Sequence, residues 1–230
     1  LFRFIDIDAR PVAYHDEALE AWAAQVESSL NSVGDERTYT RPDGKKVTVK
    51  GGTYGWKTKS GEVATALLAA VREGKDATLD IDVVQRAARF APGDGGVDWG
   101  RYIDVDLAQQ HARYYDEDGK LLWESPIVTG RPGMGTPTGV WRMNKPLRDV
   151  TLVGRIMPET GEPEYRTPGS YWMPFGGTSI GFHDANWQAR FGGSRYVQGF
   201  GSHGCVNLPY RAAQSLYSIT QMGDVVIVHW

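Results

Sequence analysis

The chain has 230 residues, a formal net charge of −3, 41% hydrophobic and 23% charged residues. That is the balance of a globular chain of one large domain or two modest ones, at about 100–200 residues each, and it excludes disordered, collagen-like and disulfide-rich classes. The longest near-continuous apolar run, 64–71, is far short of the roughly 18–20 residues of a membrane span, and 13 basic against 16 acidic residues before position 100, with 12 of each after it, give neither half the basic face of a nucleic-acid binder.

The front reads as helical and mixed. Over 16–32, Leu19, Trp22, Ala23, Val26 and Leu30 recur at three- and four-residue steps, which predicts an amphipathic helix with Gly34 beyond its end. Thr38-Tyr39-Thr40 and Val47-Thr48-Val49 flank Pro42-Asp43-Gly44 and predict a hairpin. A second helix is expected over 60–73, with Val63, Leu67, Leu68 and Val71 facing inward, and a third over 80–90. The run Ala91-Pro92-Gly93-Asp94-Gly95-Gly96 then breaks all periodicity and is the natural place for a domain boundary. From residue 101 the pattern changes to short strands: 102–107, 112–115 with 121–124 around Asp116-Glu117-Asp118-Gly119, then 139–143, 150–153, 180–183 and 225–229. One helix is expected in this half, over 209–222, with Pro209 in its first turn and Gly223 past its end. The fold class is therefore an α+β front domain, 1–99, followed by a mainly β, sandwich-like domain, 100–230, with one main helix after the cysteine loop. Eleven tyrosines and eight tryptophans suit an aromatic-lined groove.

The lone cysteine lies in Gly201-Ser202-His203-Gly204-Cys205-Val206-Asn207, between a glycine-rich loop and the last helix. Peptide N–H groups on such a turn point outward together and form an anion site. A thiol near those dipoles and a histidine is expected to have a lowered pKa. Upstream, Gly181-Phe182-His183-Asp184 ends an apolar strand in a histidine that the fold must bring to Cys205. The plainer readings are a buried small hydrophobe for Cys205 and a packing residue for His183. His183, His203 and Cys205 could also supply three zinc ligands, though no fourth has a suitable spacing, so no metal and no cofactor is expected. His15, His111 and His229 read as structural.

The run His183-Asp184, an 18-residue interval, then Ser202-His203-Gly204-Cys205-Val206-Asn207 resembles the signature of the L,D-transpeptidase catalytic domain of bacterial peptidoglycan synthesis. Thr136-Pro137-Thr138-Gly139-Val140 resembles its strand-entry motif, Tyr171-Trp172-Met173-Pro174-Phe175 its aromatic segment, and Phe191-Gly192-Gly193 part of its active-site flap. The likeness covers about 100–230, with no catalytic position altered. The front of the chain, including Gly51-Gly52-Thr53-Tyr54-Gly55-Trp56, is similar to the accessory domain that often precedes it and is thought to contact peptidoglycan.

The resemblance implies that Cys205 attacks the carbonyl between the third stem residue and the terminal D-alanine, releasing D-alanine as a thioester forms. His183 is then the base, oriented by the backbone carbonyl of Asp184. The N–H groups of His203, Gly204 and Cys205 hold the oxyanion, and the His203 ring tunes the thiol. Ser202 and Asn207 shape the loop or bind substrate, and Tyr171, Trp172, Phe175 and Trp187 offer apolar walls to the stem peptide. The expected partners are peptidoglycan stems as donor and acceptor, and carbapenems among the β-lactams as inhibitors. The expected location is the cell envelope outside the cytoplasm, in a pathway that builds wall and maintains shape. The chain opens at Leu1, which leads us to expect a processed or truncated piece, from which a signal or anchor could have been removed. Two further readings stand beside 3→3 cross-linking: an L,D-carboxypeptidase with water as acceptor, and a non-catalytic wall-binding protein.

Overall fold

A computed structural model describes residues 16–74, 76, 78, 80–89, 97–177 and 179–230. In chain order its elements are α1 (Asp16–Ser29), β1 (Arg37–Thr40), β2 (Lys46–Val49), β3 (Lys57–Thr58), α2 (Glu62–Glu73) and β4 (Val83–Gln85). There follow β5 (Tyr102–Asp106), β6 (His111–Tyr115), β7 (Leu121–Pro126), β8 (Gly139–Arg142), β9 (Leu147–Val153), β10 (Arg166–Gly176) and β11 (Ile180–Asp184). The last three are β12 (Val206–Leu208), α3 (Tyr210–Ile219) and β13 (Val225–His229). No helix among the described residues is long and apolar enough to cross a membrane.

The chain forms two compact units, one of 1–31 and 56–86, the other of 32–55 and 87–230. In the first unit, α1 and α2 are joined through Glu27, whose carboxylate accepts the Gly61 and Ala64 N–H groups at 2.6 and 2.9 Å and so caps α2 from a neighbouring helix. Gly74, at φ +62°, closes α2 in the left-handed conformation. The helix expected over 80–90 is instead the short strand β4, paired antiparallel with β3. The β-branched pair Val83-Val84 suits a pleated strand better than a helix turn.

The second unit is built on two sheets, β12-β11-β10-β9 and β7-β6-β5-β13-β8. They enclose one apolar core: Ile103 and Val105 of β5, Tyr114 of β6, Val226 and Val228 of β13, Met173 and Phe175 of β10, and Phe182 of β11, joined by Ala213 and Leu216 of α3. Strand β5 is buried on both faces. Its apolar residues enter the core, while Asp104 and Asp106 on the opposite face meet the β1–β2 hairpin. Arg41 reaches Asp104 at 2.9 Å and Asp106 at 3.1 Å, Lys45 reaches Asp106 at 2.5 Å, and the Tyr39 hydroxyl donates to Asp104 at 2.6 Å. His229 Nε2 lies 3.1 Å from Asp104, consistent with the structural role read from sequence. Burial alone would raise the Asp104 pKa, but His229, Tyr39 and Arg41 together hold it below the usual carboxylate value.

The compact units divide the chain differently from the boundary expected near residue 99. The hairpin belongs with 100–230 because its charges are spent on β5 and because its continuation runs backbone against backbone with β8. Val140 N–H donates to Gly51 O at 3.0 Å and Tyr54 N–H to Val140 O at 3.0 Å. A Cβ at Gly52 (φ +85°) would stand 2.0 Å from Val140 O, so only glycine permits this approach. The Pro92–Gly96 joint and His15 lie outside the described residues.

The long strand β10 has no counterpart among the strands expected from sequence, where 171–175 is only an aromatic segment. Two prolines argue against a central strand; the sheet accommodates Pro174 at a bulge between Pro174 and Gly176. Helix α3 starts just after Pro209 and ends at Ile219, three residues short of the expected limit.

Candidate active site

Strands β11 and β12 run parallel, pairing Phe182 with Val206, His183 with Asn207 and Asp184 with Leu208. This register brings the two distant sequence motifs side by side. Cys205 enters β12 from the loop, and His183 and Cys205 line the same cavity of about 790 Å³. The cavity lies along β9, β10 and β11, with Leu147, Leu152, Trp172, Trp187 and Phe200 among its apolar walls. The His183 ring is 4% exposed and sits between Trp172 and Trp187, with centroids 6.0 and 5.9 Å away. Its Nδ1 lies 2.9 Å from the Asp184 backbone oxygen. A carbonyl can only accept, so Nδ1 carries the hydrogen and Nε2 is the bare, basic nitrogen. The Asp184 carboxylate is used elsewhere, accepting the Tyr171 N–H at 2.9 Å and the Asn186 amide at 3.2 Å.

The thiol departs from the expectation of a lowered pKa. Burial pushes Cys205 up to about 11, opposed only by the Gly181 N–H. Burial also lowers the His183 pKa, against the pull of Asp184. Burial thus disfavours the charged form of both groups, thiolate and imidazolium. Its Sγ lies 3.5 Å from Ser179 O.

The loop before Cys205 is held from two sides. Ser202 Oγ accepts the Gly204 N–H at 3.0 Å and donates to Cys205 O at 2.5 Å. Thr136 Oγ1 donates to Gly204 O at 2.8 Å and accepts the Gly130 N–H at 3.0 Å. Gly204 stands at φ +118°, where a Cβ would meet Ile180 Cδ1 at 2.7 Å. Of the three N–H groups expected to face an oxyanion, that of Gly204 is thus already given to Ser202. Those of His203 and Cys205 make no hydrogen bond among the described residues.

The structure sorts the expected wall residues. Trp172 and Trp187 line the cavity, and Trp187 is 55% exposed. Tyr171 and Phe175 do not: both are core residues, Tyr171 against Tyr217 and Phe175 against Phe182. Alternation along β10 turns 171, 173 and 175 inward and 172 to the cavity. Asn207 lines the cavity and donates to Gln188 Oε1 at 3.0 Å, while Gln188 donates to Phe200 O at 2.7 Å. His203 lines the cavity, with its Nε2 engaged by Arg131 and Glu164. The donor atoms of His183, His203 and Cys205 do not converge on a metal-sized point; the group that does among the described residues is Asp104, Asp106 and His229, already neutralised by Arg41 and Lys45. Residues that the sequence reading missed are Tyr165, Arg131 and Glu164 around His203, and Gln188. They sit in loops without periodicity or motif, although Glu164-Tyr165 follows a turn-rich Pro-Glu-Thr-Gly run.

Comparison with known proteins bears on this arrangement. Residues 100–228 match the family model of the YkuD L,D-transpeptidase catalytic domain. The chain belongs to this L,D-transpeptidase family. The L,D-transpeptidase chain is also similar over most of its length to two solved structures. One is the Ldtfm–avibactam carbamoyl enzyme, 32% identical, with a TM-score of 0.73, covering 93% of this chain and 80% of that one. The other is a cysteine-to-serine mutant of an Enterococcus faecium L,D-transpeptidase, 31% identical, with a TM-score of 0.73, covering 97% of this chain and 86% of that one. A comparison with curated proteins gives no match. Membership makes the chain an acyltransferase in kind and assigns the cavity of 100–228 to the catalytic domain.

Proposed function

We propose that this L,D-transpeptidase joins peptidoglycan stems by 3→3 bonds through a thioester on Cys205. The observation that carries the reading is the pairing of β11 with β12, which sets His183, with its bare Nε2, and Cys205 in one cavity. Cys205 Sγ attacks the carbonyl of the third stem residue while its proton passes to His183 Nε2. The tetrahedral oxyanion is met by the free N–H groups of His203 and Cys205, each donor contributing roughly 3–4 kcal/mol in comparable sites. Collapse breaks the bond to D-alanine, which leaves with the proton from His183, and a thioester remains. The amine of a second stem then attacks the thioester, gives up its proton to His183, and restores the thiol as the new amide forms.

Because burial disfavours both thiolate and imidazolium, proton transfer accompanies attack rather than preceding it. Trp172 and Trp187 serve the peptide as walls, joined by Leu147 and Leu152 of β9, in place of the buried Tyr171 and Phe175. The wall-contacting role is proposed for 1–99, of which 32–55 fall in the second unit. The substrate requires a location outside the cytoplasm. The carbamoyl enzyme formed by avibactam in a relative supports a site that carries an acyl-type adduct, and carbapenems are the β-lactams we expect to acylate Cys205. The test is mass spectrometry of the protein with a disaccharide-tetrapeptide, with and without an acceptor stem. A thioester and a cross-linked dimer support the reading; hydrolysed tripeptide alone marks a carboxypeptidase, and no adduct at all marks a binding protein.

A further inference from the structure

The Arg131 guanidinium lies 2.8 Å from His203 Nε2, and Glu164 Oε1 lies 3.3 Å from the same nitrogen. These neighbours make opposite demands on one atom. A guanidinium only donates and needs Nε2 bare; a carboxylate only accepts and needs a hydrogen there. Three observations decide between them. The Arg131 contact is the shorter. Glu164 has cations of its own, Arg155 Nε at 3.2 Å and Arg131 at 3.9 Å. The backbone of Arg131 is fixed to the cysteine loop: its N–H donates to Ser202 O at 2.9 Å, its carbonyl accepts the Met134 N–H at 2.9 Å, and a Cβ on Gly201 would stand 2.7 Å from its Cα. The other neighbour of the ring is Tyr165, stacked at 5.4 Å between centroids.

We infer that Arg131 is a positioning residue that holds the His203 ring with its hydrogen on Nδ1 and Nε2 bare, so that this ring offers a bound peptide a donor and not a base. The inference rests on the reading of the Cys205 loop as an acyl-transfer site. It explains a division of labour between two histidines lining one cavity. His183 is locked by Asp184 O with Nε2 bare and free to take a proton. The corresponding lone pair of His203 is consumed by a permanent cation and cannot compete for the thiol proton.

Nitrogen NMR of the full chain labelled at histidine, above about pH 7 where an ordinary imidazole is neutral, reads the tautomer directly, with the His203 signals assigned by their loss in His203→Gln. The wild type should show His203 hydrogen on Nδ1. Arg131→Met should move it toward Nε2, facing Glu164, and lower kcat for acylation about tenfold with little change in KM, the size of one lost charge-assisted hydrogen bond. Arg131→Lys should keep the tautomer and most of the rate, and Glu164→Gln should leave the tautomer unchanged. A wild-type ring with hydrogen on Nε2, or a tautomer that follows Glu164→Gln and ignores Arg131→Met, overturns the inference. The NMR result needs no turnover, so a protein that fails to acylate would count against the proposed reaction without obscuring this test.

Discussion

A thiol with a pKa near 11 beside an imidazole with a lowered one has a definite signature in rate. The active form needs His183 neutral and Cys205 protonated. Because the His183 pKa falls below its usual value, the neutral form persists to lower pH, and acylation should rise through a pKa under the ordinary 6.5 or so and then stay flat through neutrality. Stopped-flow acylation across pH checks this; a rise centred on about 8.5, the free-thiol value, would show that ordinary ionisation of the thiol controls the rate. Cys205→Ala should abolish acyl-enzyme formation and leave the fold intact, as read by intact mass and circular dichroism, since the chain has no other thiol. His183→Gln should slow acylation by roughly 10²–10⁴-fold, the range for a lost general acid–base group, and His203→Gln by less. Larger loss at His203 in the same assay would reverse the two roles.

At the scale of elements, the decisive piece outside the site is the β1–β2 hairpin. Arg41, with its side chain 1% exposed, offsets two buried carboxylates, so Arg41→Met leaves Asp104 to His229 and Tyr39 and Asp106 to Lys45. Breaking a buried pair in this way costs about 3–5 kcal/mol. Urea unfolding followed by tryptophan fluorescence should show a loss of that size, and a change under about 1 kcal/mol would mean the hairpin is a surface decoration. The hairpin itself was legible in sequence, because Pro42-Asp43-Gly44 between alternating runs is a local signal. Its allegiance was not, since Arg41 and Asp104 lie 63 positions apart and nothing local marks them as partners. The same limit explains the site. His183 and Cys205 were legible from spacing and from glycines around a lone thiol, whereas the raised thiol pKa depends on burial that only the tertiary fold creates. Tyr171 and Phe175 were placed in the groove because aromatic character was visible and strand alternation was not: prolines at 168 and 174 concealed β10.

For the whole molecule, the chemistry belongs to the second unit, and the reading requires that unit to meet peptidoglycan outside the cytoplasm. Carbapenems should add their intact mass to Cys205 while penicillin-type compounds react poorly, if the groove takes an L-centred carbonyl as proposed and the nucleophile is a soft sulfur. Cys205→Ser should lose most of this reactivity in the same mass assay; stable penicillin adducts without carbapenem adducts would contradict it. The most direct test of the central claim is intact-protein mass spectrometry after incubation with a disaccharide-tetrapeptide. The account predicts an adduct equal to the substrate less D-alanine, mapped to Cys205, absent from Cys205→Ala, and discharged by an acceptor stem into a cross-linked dimer. An adduct on another residue, or cross-linking that survives Cys205→Ala, would contradict it.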